Sequence, residues 1–213
     1  MTKIVVMGSS GGVGRHAVAA AVAAGHEVVA ASRSGEPVDP RGVAVAVDVR
    51  DAEAVARVLD GADAVLWCVG VTRRSGPGAG SAGMANVVRA TQRLGSDPRV
   101  VSVSGAGVTL AGDEKGAGAR LVSALTRRLA RDLVSDKEAE HAVLAASTLA
   151  WTQLRPPRLV DSAATGRWEL TRRAPGLTAG AVAKADVAAA MLEQGDDDTW
   201  VGAAPFVARP GPA

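Results

Sequence analysis

The chain has 213 residues, of which 47% are hydrophobic and 22% are charged, a composition typical of a folded globular protein. This length suffices for one α/β domain with a complete buried core and is short for two. The formal net charge is only +2 and aromatic residues make up 2% of the chain, so nucleic-acid binding is not expected. Cys68 is the only cysteine, which excludes an internal disulfide and a zinc site built from cysteines.

No apolar run reaches the length of a membrane span without a charge or a glycine. The amino terminus lacks the layout of a signal peptide, because it runs directly into a strand pattern. We therefore expect a soluble cytoplasmic protein, monomeric or homodimeric, that binds a small molecule and neither nucleic acid nor a membrane. The chain has only three histidines, so no metal site is expected.

Apolar runs of strand length alternate with helical patterns over most of the chain. The predicted strands are, in chain order, Lys3–Met7, Glu27–Ala31, Val43–Val47, Ala62–Val69, Arg99–Val103 and Ala150–Leu154. The predicted helices between them are Arg15–Ala24, Asp51–Leu59, Met84–Leu94, Ala119–Leu133 and Asp136–Ala146. Continuous runs of Val, Ala, Ile and Leu are typical of strands that are covered on both faces. The pattern predicts an α/β fold with a doubly wound parallel sheet, forming one domain over residues 1–213.

Beyond Pro156 the pattern loosens, and residues 156–205 are predicted to form a small cap over the carboxyl edge of the sheet. The elements predicted there are a strand at Trp168–Leu170, a helix at Lys184–Gln194 and a strand at Thr199–Ala204. The composition of Ser75–Gly83 predicts a flexible loop between the fourth strand and its helix, and the charged cluster Asp113-Glu114-Lys115 is predicted to form a solvated face.

A glycine-rich turn, Gly8-Ser9-Ser10-Gly11-Gly12-Val13-Gly14, follows the first strand and opens the first helix. A tight strand-to-helix turn needs positive φ or a missing Cβ, and a backbone that approaches a pyrophosphate closely has no room for side chains. The helix amino terminus then offers free N–H groups to the phosphates. The spacing is GxxGxxG, and its position within a βαβ unit predicts a dinucleotide site.

The second strand is followed by Ser32-Arg33-Ser34, where an NAD enzyme places a carboxylate on the ribose diol. A carboxylate would repel a 2′-phosphate, whereas the Arg33 guanidinium pairs with it. This favours NADP(H) over NAD(H). Asp48-Val49 after the third strand is positioned to contact adenine, although Asp48 is also a candidate helix cap. Cys68-Val69-Gly70 after the fourth strand offers bare backbone to the dinucleotide.

Together with VSVSGAGV, SDKEAEHAVLAASTLAWTQLRPPRLVD and AKADVAAAML, these motifs resemble the atypical short-chain dehydrogenase/reductases over about residues 3–194. The most similar branch is the NAD(P)H-binding group that includes flavin/biliverdin-IXβ reductases and NmrA-like proteins. The resemblance implies a Rossmann-type sheet with the nicotinamide near the ends of strands four to six. It also implies cofactor contacts at Gly8, Ser10, Gly11, Gly12, Val13, Gly14, Arg33, Asp48, Val49, Cys68, Val69, Gly70, Ser102, Ser104, Pro156 and Pro157.

Lys137 falls near the family's active-site lysine, which holds the nicotinamide ribose in related enzymes. The wider superfamily places a Tyr acid four residues earlier, but Leu133 stands there and the chain contains no Tyr, so a Tyr-Lys proton relay is impossible. Two other side chains are candidates for catalysis. Ser104 is positioned to hydrogen-bond an acceptor oxygen, and His141, one helical turn after Lys137, is a candidate acid near neutral pH.

The sequence therefore predicts an NADPH-dependent reductase that transfers hydride to a small conjugated or carbonyl acceptor, such as a flavin, a quinone or an enone. Such acceptors take hydride first and a proton from water afterwards, so no dedicated strong acid is required. Two alternatives remain open at this point. One is an NmrA-like regulator that binds NADP without turnover, and the other is a non-redox cyclase or isomerase on the same fold.

Overall fold

The computed structural model describes residues 2–71, 75–176 and 180–210. Its strands are β1 (Lys3–Met7), β2 (Glu27–Ser32), β3 (Val43–Ala46), β4 (Ala64–Trp67), β5 (Arg99–Val103) and β6 (Trp151–Leu154). Its helices are α1 (Gly14–Ala23), α2 (Ala52–Leu59), α3 (Ala79–Leu94), α4 (Ala117–Leu129), α5 (Arg131–Ala145) and α6 (Lys184–Glu193). The six strands form one parallel sheet in the order β3-β2-β1-β4-β5-β6, which confirms the predicted Rossmann-type fold.

Helices cover both faces of this sheet because its strands are apolar along their whole length. Helices α1 and α6 pack together on one face, while α3 packs between α2 and α5 on the other. Within β1, Val6 belongs to the first of these cores, whereas Val5 and Met7 belong to the second, as the alternation of a strand requires. Within the described residues no helix is both long enough and apolar enough to cross a bilayer.

Strand β1 lies between β2 and β4. The strands β2 and β3 are added on one side of β1, and β4, β5 and β6 are added on its other side, so β1 is the switch point of the sheet. Met7 at the end of β1 pairs in register with Ala31 of β2 and with Trp67 of β4. The segments that follow these three strands therefore lie side by side at one edge of the sheet. Ligands of open α/β sheets bind in the crevice at this kind of switch point.

The carboxyl-terminal part adds two short sheets. The strand β7 (Arg158–Val160) pairs with β9 (Ala181–Ala183), and β8 (Glu169–Thr171) pairs with β10 (Phe206–Ala208). The predicted strand at Thr199–Ala204 is wrong, because Asp198–Trp200 forms a 3₁₀ turn and the strand begins at Phe206. The Asp197 carboxylate accepts a hydrogen bond of 2.8 Å from the Thr199 N–H, which favours the turn over an extended chain.

The predicted loop Ser75–Gly83 is wrong over its second half, because α3 begins at Ala79. The small residues there allow α3 to pack closely against α5 and β4. A Cβ on Gly80 would lie 2.8 Å from carboxylate oxygens of Asp136 and Glu140, and one on Gly83 would lie 2.7 Å from the Trp67 ring. Asp136 also accepts hydrogen bonds from the Gly80 and Ser81 N–H groups, at 2.9 and 3.0 Å.

Candidate functional site

The glycine turn after β1 has the geometry that a close backbone approach requires. Gly8 has φ +83°, and a Cβ there would lie 2.8 Å from the Cys68 carbonyl oxygen. A Cβ on Gly14 would overlap the Gly8 carbonyl oxygen, so α1 can start beside the turn only with glycine at that position. The N–H groups of Gly8 and Ser9 donate to the Ala31 carbonyl oxygen at 2.8 and 3.1 Å. The turn is therefore fixed to the end of β2.

The amino terminus of α1 is open to a ligand. Its N-cap residue is Val13, and no side chain of the described residues caps the first turn. The hydroxyl oxygen of Ser9 is buried and has no hydrogen-bond partner among those residues. A helix terminus without a side-chain cap beside a bare glycine turn is suited to binding a phosphate.

The end of β2 supplies the side chains predicted for the adenosine ribose. The Ser32 hydroxyl accepts a hydrogen bond of 3.1 Å from the Gly35 N–H and lies 3.3 Å from the Ser34 hydroxyl, so these serines shape the turn. Arg33 lines the cavity above the glycine turn, and Asp48 and Val49 line it from the end of β3. Asp48 does not cap α2, because Asp51 does so through the Glu53 and Ala54 N–H groups.

The end of β4 completes the cavity with Cys68, Val69 and Gly70. Burial raises the pKa of the Cys68 thiol to about 12, so the thiol stays protonated and is not a nucleophile. The Lys137 ammonium donates a hydrogen bond of 2.7 Å to the Val69 carbonyl oxygen, which brings α5 against this end of β4. Lys137 is not among the residues that line this cavity and lies behind its wall, whereas the resemblance implies a lysine that holds the nicotinamide ribose directly.

Glu140 holds the Lys137 ammonium on its other side. The Glu140 side chain is 0% exposed, and its Oε2 accepts hydrogen bonds from Lys137 Nζ at 2.8 Å and Trp67 Nε1 at 2.9 Å. Gln153 Nε2 donates to the other oxygen at 3.4 Å. Burial raises the pKa of Glu140, and the nearby Lys137 charge opposes this shift only in part. Glu140 is a buried partner of Lys137 that sequence reasoning missed.

The structure brings most of the predicted binding residues into this one cavity but leaves several outside it. Those lining it are Gly8, Ser10, Gly11, Ser32, Arg33, Asp48, Val49, Cys68, Val69 and Gly70. Val13, Gly14 and Ser102 are buried beside it, while Pro156 and Pro157 line a separate cavity of about 530 Å³ at the ends of β5 and β6. Arg50, Ser75 and Ala79 also line the first cavity and were not predicted.

His141 faces a different cavity from Lys137, although one helical turn separates them. It lies in a cavity of about 350 Å³ together with Asp113, Arg155 and Trp200. Its Nδ1 is 3.1 Å from the Gln153 amide oxygen, and its ring packs edge-on against Trp151. Burial lowers the pKa of His141, so the ring is neutral at pH 7. This position does not support the predicted role of His141 as an acid.

Within the cluster Asp113-Glu114-Lys115, Glu114 is exposed as the sequence predicts, but the side chains of Asp113 and Lys115 are buried, contrary to the sequence prediction. Arg155 donates to both Asp113 oxygens at 2.8 and 2.6 Å, and the two side chains are only 4% and 7% exposed. The Lys115 ammonium is buried and donates to the carbonyl oxygens of Ala106 and Val108 at 3.0 and 2.6 Å. These bonds tie the segment after β5 to the end of β6.

The glycine turn, the open helix terminus and the strand ends together define a Rossmann-type nucleotide-binding protein. A sequence model of the NAD(P)H-binding family matches residues 8–198, which is most of the chain. The chain belongs to this NAD(P)H-binding family, which confirms the resemblance found in its sequence.

Solved structures share the fold of this chain. Anaerobilin reductase ChuY of Escherichia coli O157:H7 is 24% identical with a TM-score of 0.78, and the alignment covers 100% of both chains. A short-chain dehydrogenase/reductase of Veillonella parvula in complex with NADP is 18% identical with a TM-score of 0.80, covering 99% and 95% of the two chains. The uncharacterised protein Rv2047c of Mycobacterium tuberculosis is 36% identical over 104 residues, but the match spans only 12% of its length and 48% of this chain.

Proposed function

We propose that this protein is an NADPH-dependent reductase that transfers hydride to a small conjugated or carbonyl acceptor without a tyrosine acid. One observation carries the proposal: the glycine turn, Arg33 and the Lys137-bonded end of β4 meet around one cavity at the switch point of the sheet. These positions match the diphosphate, the adenosine ribose and the nicotinamide side of a dinucleotide laid across the crevice.

The preference for NADP(H) rests on the end of β2. Arg33 offers a guanidinium to a 2′-phosphate, and the sequence places no carboxylate beside it at Ser32 or Ser34. Ser32 and Ser34 hold the turn that presents it. The Veillonella parvula relative of the same fold is in complex with NADP, which is consistent with this preference.

The bound nicotinamide would supply the hydride, so the protein must mainly orient the two reactants. We assign Lys137 to positioning the Val69 part of the cavity wall beside the nicotinamide ribose, since its ammonium is bonded to the Val69 carbonyl oxygen and to Glu140. We assign Ser104 to the acceptor oxygen, because its buried hydroxyl oxygen has no partner among the described residues. Ser104 follows β5 and lies outside the described linings of both cavities, so this contact requires the acceptor to reach past the cavity wall. The proton that completes the reduction would come from water, since the chain has no Tyr.

The acceptor would occupy the cavity of about 530 Å³ at the ends of β5 and β6. Its described lining is mostly apolar, with Val122 from α4 and Pro156 and Pro157 after β6, and Arg158 is its charged side chain. Such a lining suits a conjugated compound better than a sugar or a free amino acid. The reductase therefore takes an acceptor that is flat, largely apolar and able to accept hydride.

A second function, binding NADP as a regulator without turnover, is supported by one surface. Helix α4 exposes Leu121, Leu125 and Leu129, which follow one another at intervals of four residues. An apolar stripe of this kind suits a protein partner as well as a substrate lid. The missing Tyr is compatible with both functions.

The test measures the rate of NADPH oxidation by the purified protein with flavins, quinones and enones as candidate acceptors. We expect oxidation of NADPH with at least one of these acceptor classes. A Lys137→Met variant should lower the rate about 100-fold or more if Lys137 positions the cavity wall beside the nicotinamide. A Ser96→Ala variant, altered at the opposite edge of the sheet, is the control. Absence of turnover in every panel, with NADP-dependent binding of a protein partner, would favour the regulator. Conversion of a substrate that ignores NADPH would favour an isomerase.

A further inference from the structure

Two cations from different elements meet beside the glycine turn. Arg15 belongs to the first turn of α1, and Lys184 is the first residue of α6. Both bind the same carboxylate: Asp161 accepts from Arg15 at 2.6 Å through one oxygen and from Lys184 at 2.5 Å through the other. Asp161 follows β7, so this one side chain joins the carboxyl-terminal cap to the first crossover.

Lys184 also lies across the glycine turn itself. A Cβ built on Gly12 would lie 3.0 Å from the Cδ, Cε and Nζ atoms of Lys184. The absence of a side chain at Gly12 therefore leaves room for the lysine stem, in addition to any role toward a phosphate. Gly12 directly precedes the N-cap residue of α1, so the ammonium lies beside the helix terminus that is suited to a phosphate.

The cluster of Arg15, Lys184 and Asp161 carries an excess of positive charge. One carboxylate faces two cations, and the Asp161 side chain is 58% exposed while Lys184 is only 22% exposed. Hydrogen bonding to Lys184, together with the charges of Lys184 and Arg15, keeps the pKa of Asp161 below its usual range. Asp161 therefore stays ionised at neutral pH, and one net positive charge remains for an incoming anion.

We propose that Lys184 and Arg15 bind the diphosphate of the dinucleotide, and that Asp161 competes with the diphosphate for these two cations. The inference rests on the proposed dinucleotide site and adds two specific residues and an internal competitor to it. A diphosphate is common to NADPH and NADH, so Lys184 and Arg15 act on both cofactors equally. Arg33, in contrast, acts on the 2′-phosphate that only NADPH carries.

The experiment measures the dissociation constants of NADPH and NADH by fluorescence titration of the full chain. A Lys184→Met variant should weaken both about tenfold or more, because it removes a charge-assisted contact to phosphate. A Lys184→Arg variant should retain most of the affinity. An Asp161→Asn variant should tighten both about threefold, since an exposed ion pair competes only weakly.

Matched controls are Lys3→Met and Asp97→Asn, which change the same charges at the opposite edge of the sheet and should leave both constants unchanged. If the wild type binds NADPH but Lys184→Met binds it equally well, the inference is overturned and the proposed function stands. Weaker binding by Asp161→Asn would also overturn it, because Asp161 would then support the site. If the wild type binds neither nucleotide, the proposed function fails first.

Discussion

Asp113 and Glu140 are both buried carboxylates, but the protein holds them in different ways. Asp113 is paired with two cations, Arg155 through two hydrogen bonds and Lys115 at 3.6 Å. Glu140 has one cation, Lys137, and its other partners are the neutral Trp67 and Gln153. Burial favours the protonated form of both carboxyls, yet the net shift lowers the pKa of Asp113 and raises that of Glu140.

The number of facing cations therefore sets the direction in which the pKa of each of these two buried carboxyls moves. The difference between them also separates two roles. Asp113 fixes the segment after β5 against the end of β6, and the proposed cofactor does not reach it. Glu140 holds the lysine behind the wall of the proposed cofactor cavity.

The largest expected effect comes from breaking the Asp113 pair. An Asp113→Ala variant leaves the buried Arg155 guanidinium without its carboxylate, and we expect the free energy of unfolding to fall by about 3–5 kcal/mol. Urea denaturation measures this, with Asp97→Ala on the surface as the control. NADPH affinity of the folded protein should not change. A loss below about 1 kcal/mol would contradict the role of Asp113 as a buried clamp.

A smaller loss of stability is expected from Glu140→Gln, which keeps the shape and the bond to Trp67 but removes the charge opposite Lys137. We expect a loss of about 1–2 kcal/mol in unfolding and a fall of about tenfold in NADPH affinity, because the ammonium is no longer fixed. The matched control is Glu138→Gln, two residues earlier on α5, where the carboxylate pairs with Arg127 on the surface. Equal NADPH affinity for the two variants would show that Glu140 does not position Lys137.

The smallest expected effect is on how the free energy of unfolding depends on pH, because Asp113 and Glu140 should contribute pH dependences of opposite sign. The folded pKa of Asp113 is lowered, so its stabilisation is present at neutral pH and is lost as the pH falls through the folded pKa. The folded pKa of Glu140 is raised, so its contribution is largest at acid pH and decreases as the pH rises through that pKa.

Between about pH 2 and pH 7, the stability advantage of the wild type over Asp113→Asn should therefore grow with pH, mostly below pH 5, because the lowered pKa of Asp113 lies below the ordinary value. The advantage over Glu140→Gln should shrink with pH, mostly above pH 4, and each change should be on the order of 1 kcal/mol. Urea unfolding curves across this pH range measure both differences. If both stability differences changed with pH in the same direction, the contrast between the two carboxyls would be contradicted.

The sequence predicted the sheet well, because continuous apolar strands alternating with helices have few other arrangements. The sequence also predicted the cavity above the glycine turn. One local turn requires glycine at positions 8 and 14, and the carboxyl ends of strands in a parallel sheet meet at one edge. The carboxyl-terminal cap was predicted less well. Its strands are three residues long, and their pairing depends on contacts with distant segments such as β6.

The buried charges were missed for a physical reason. Asp113 and Lys115 look like surface residues in the sequence, and only the fold brings Arg155 to them. Glu140 has partners in three different elements, so no local pattern marks it. Its position three residues after Lys137 was the available signal, because residues at this spacing share one face of a helix.

The most direct measurement for the whole account is a titration of the purified protein and its Arg33→Asp variant with NADPH and NADH. The account predicts saturable binding of both nucleotides by the wild type, with NADPH tighter. In the Arg33→Asp variant, NADPH should bind about 10- to 100-fold more weakly, with little change for NADH. Absence of binding by the wild type, or equal losses for the two nucleotides in the variant, would contradict it.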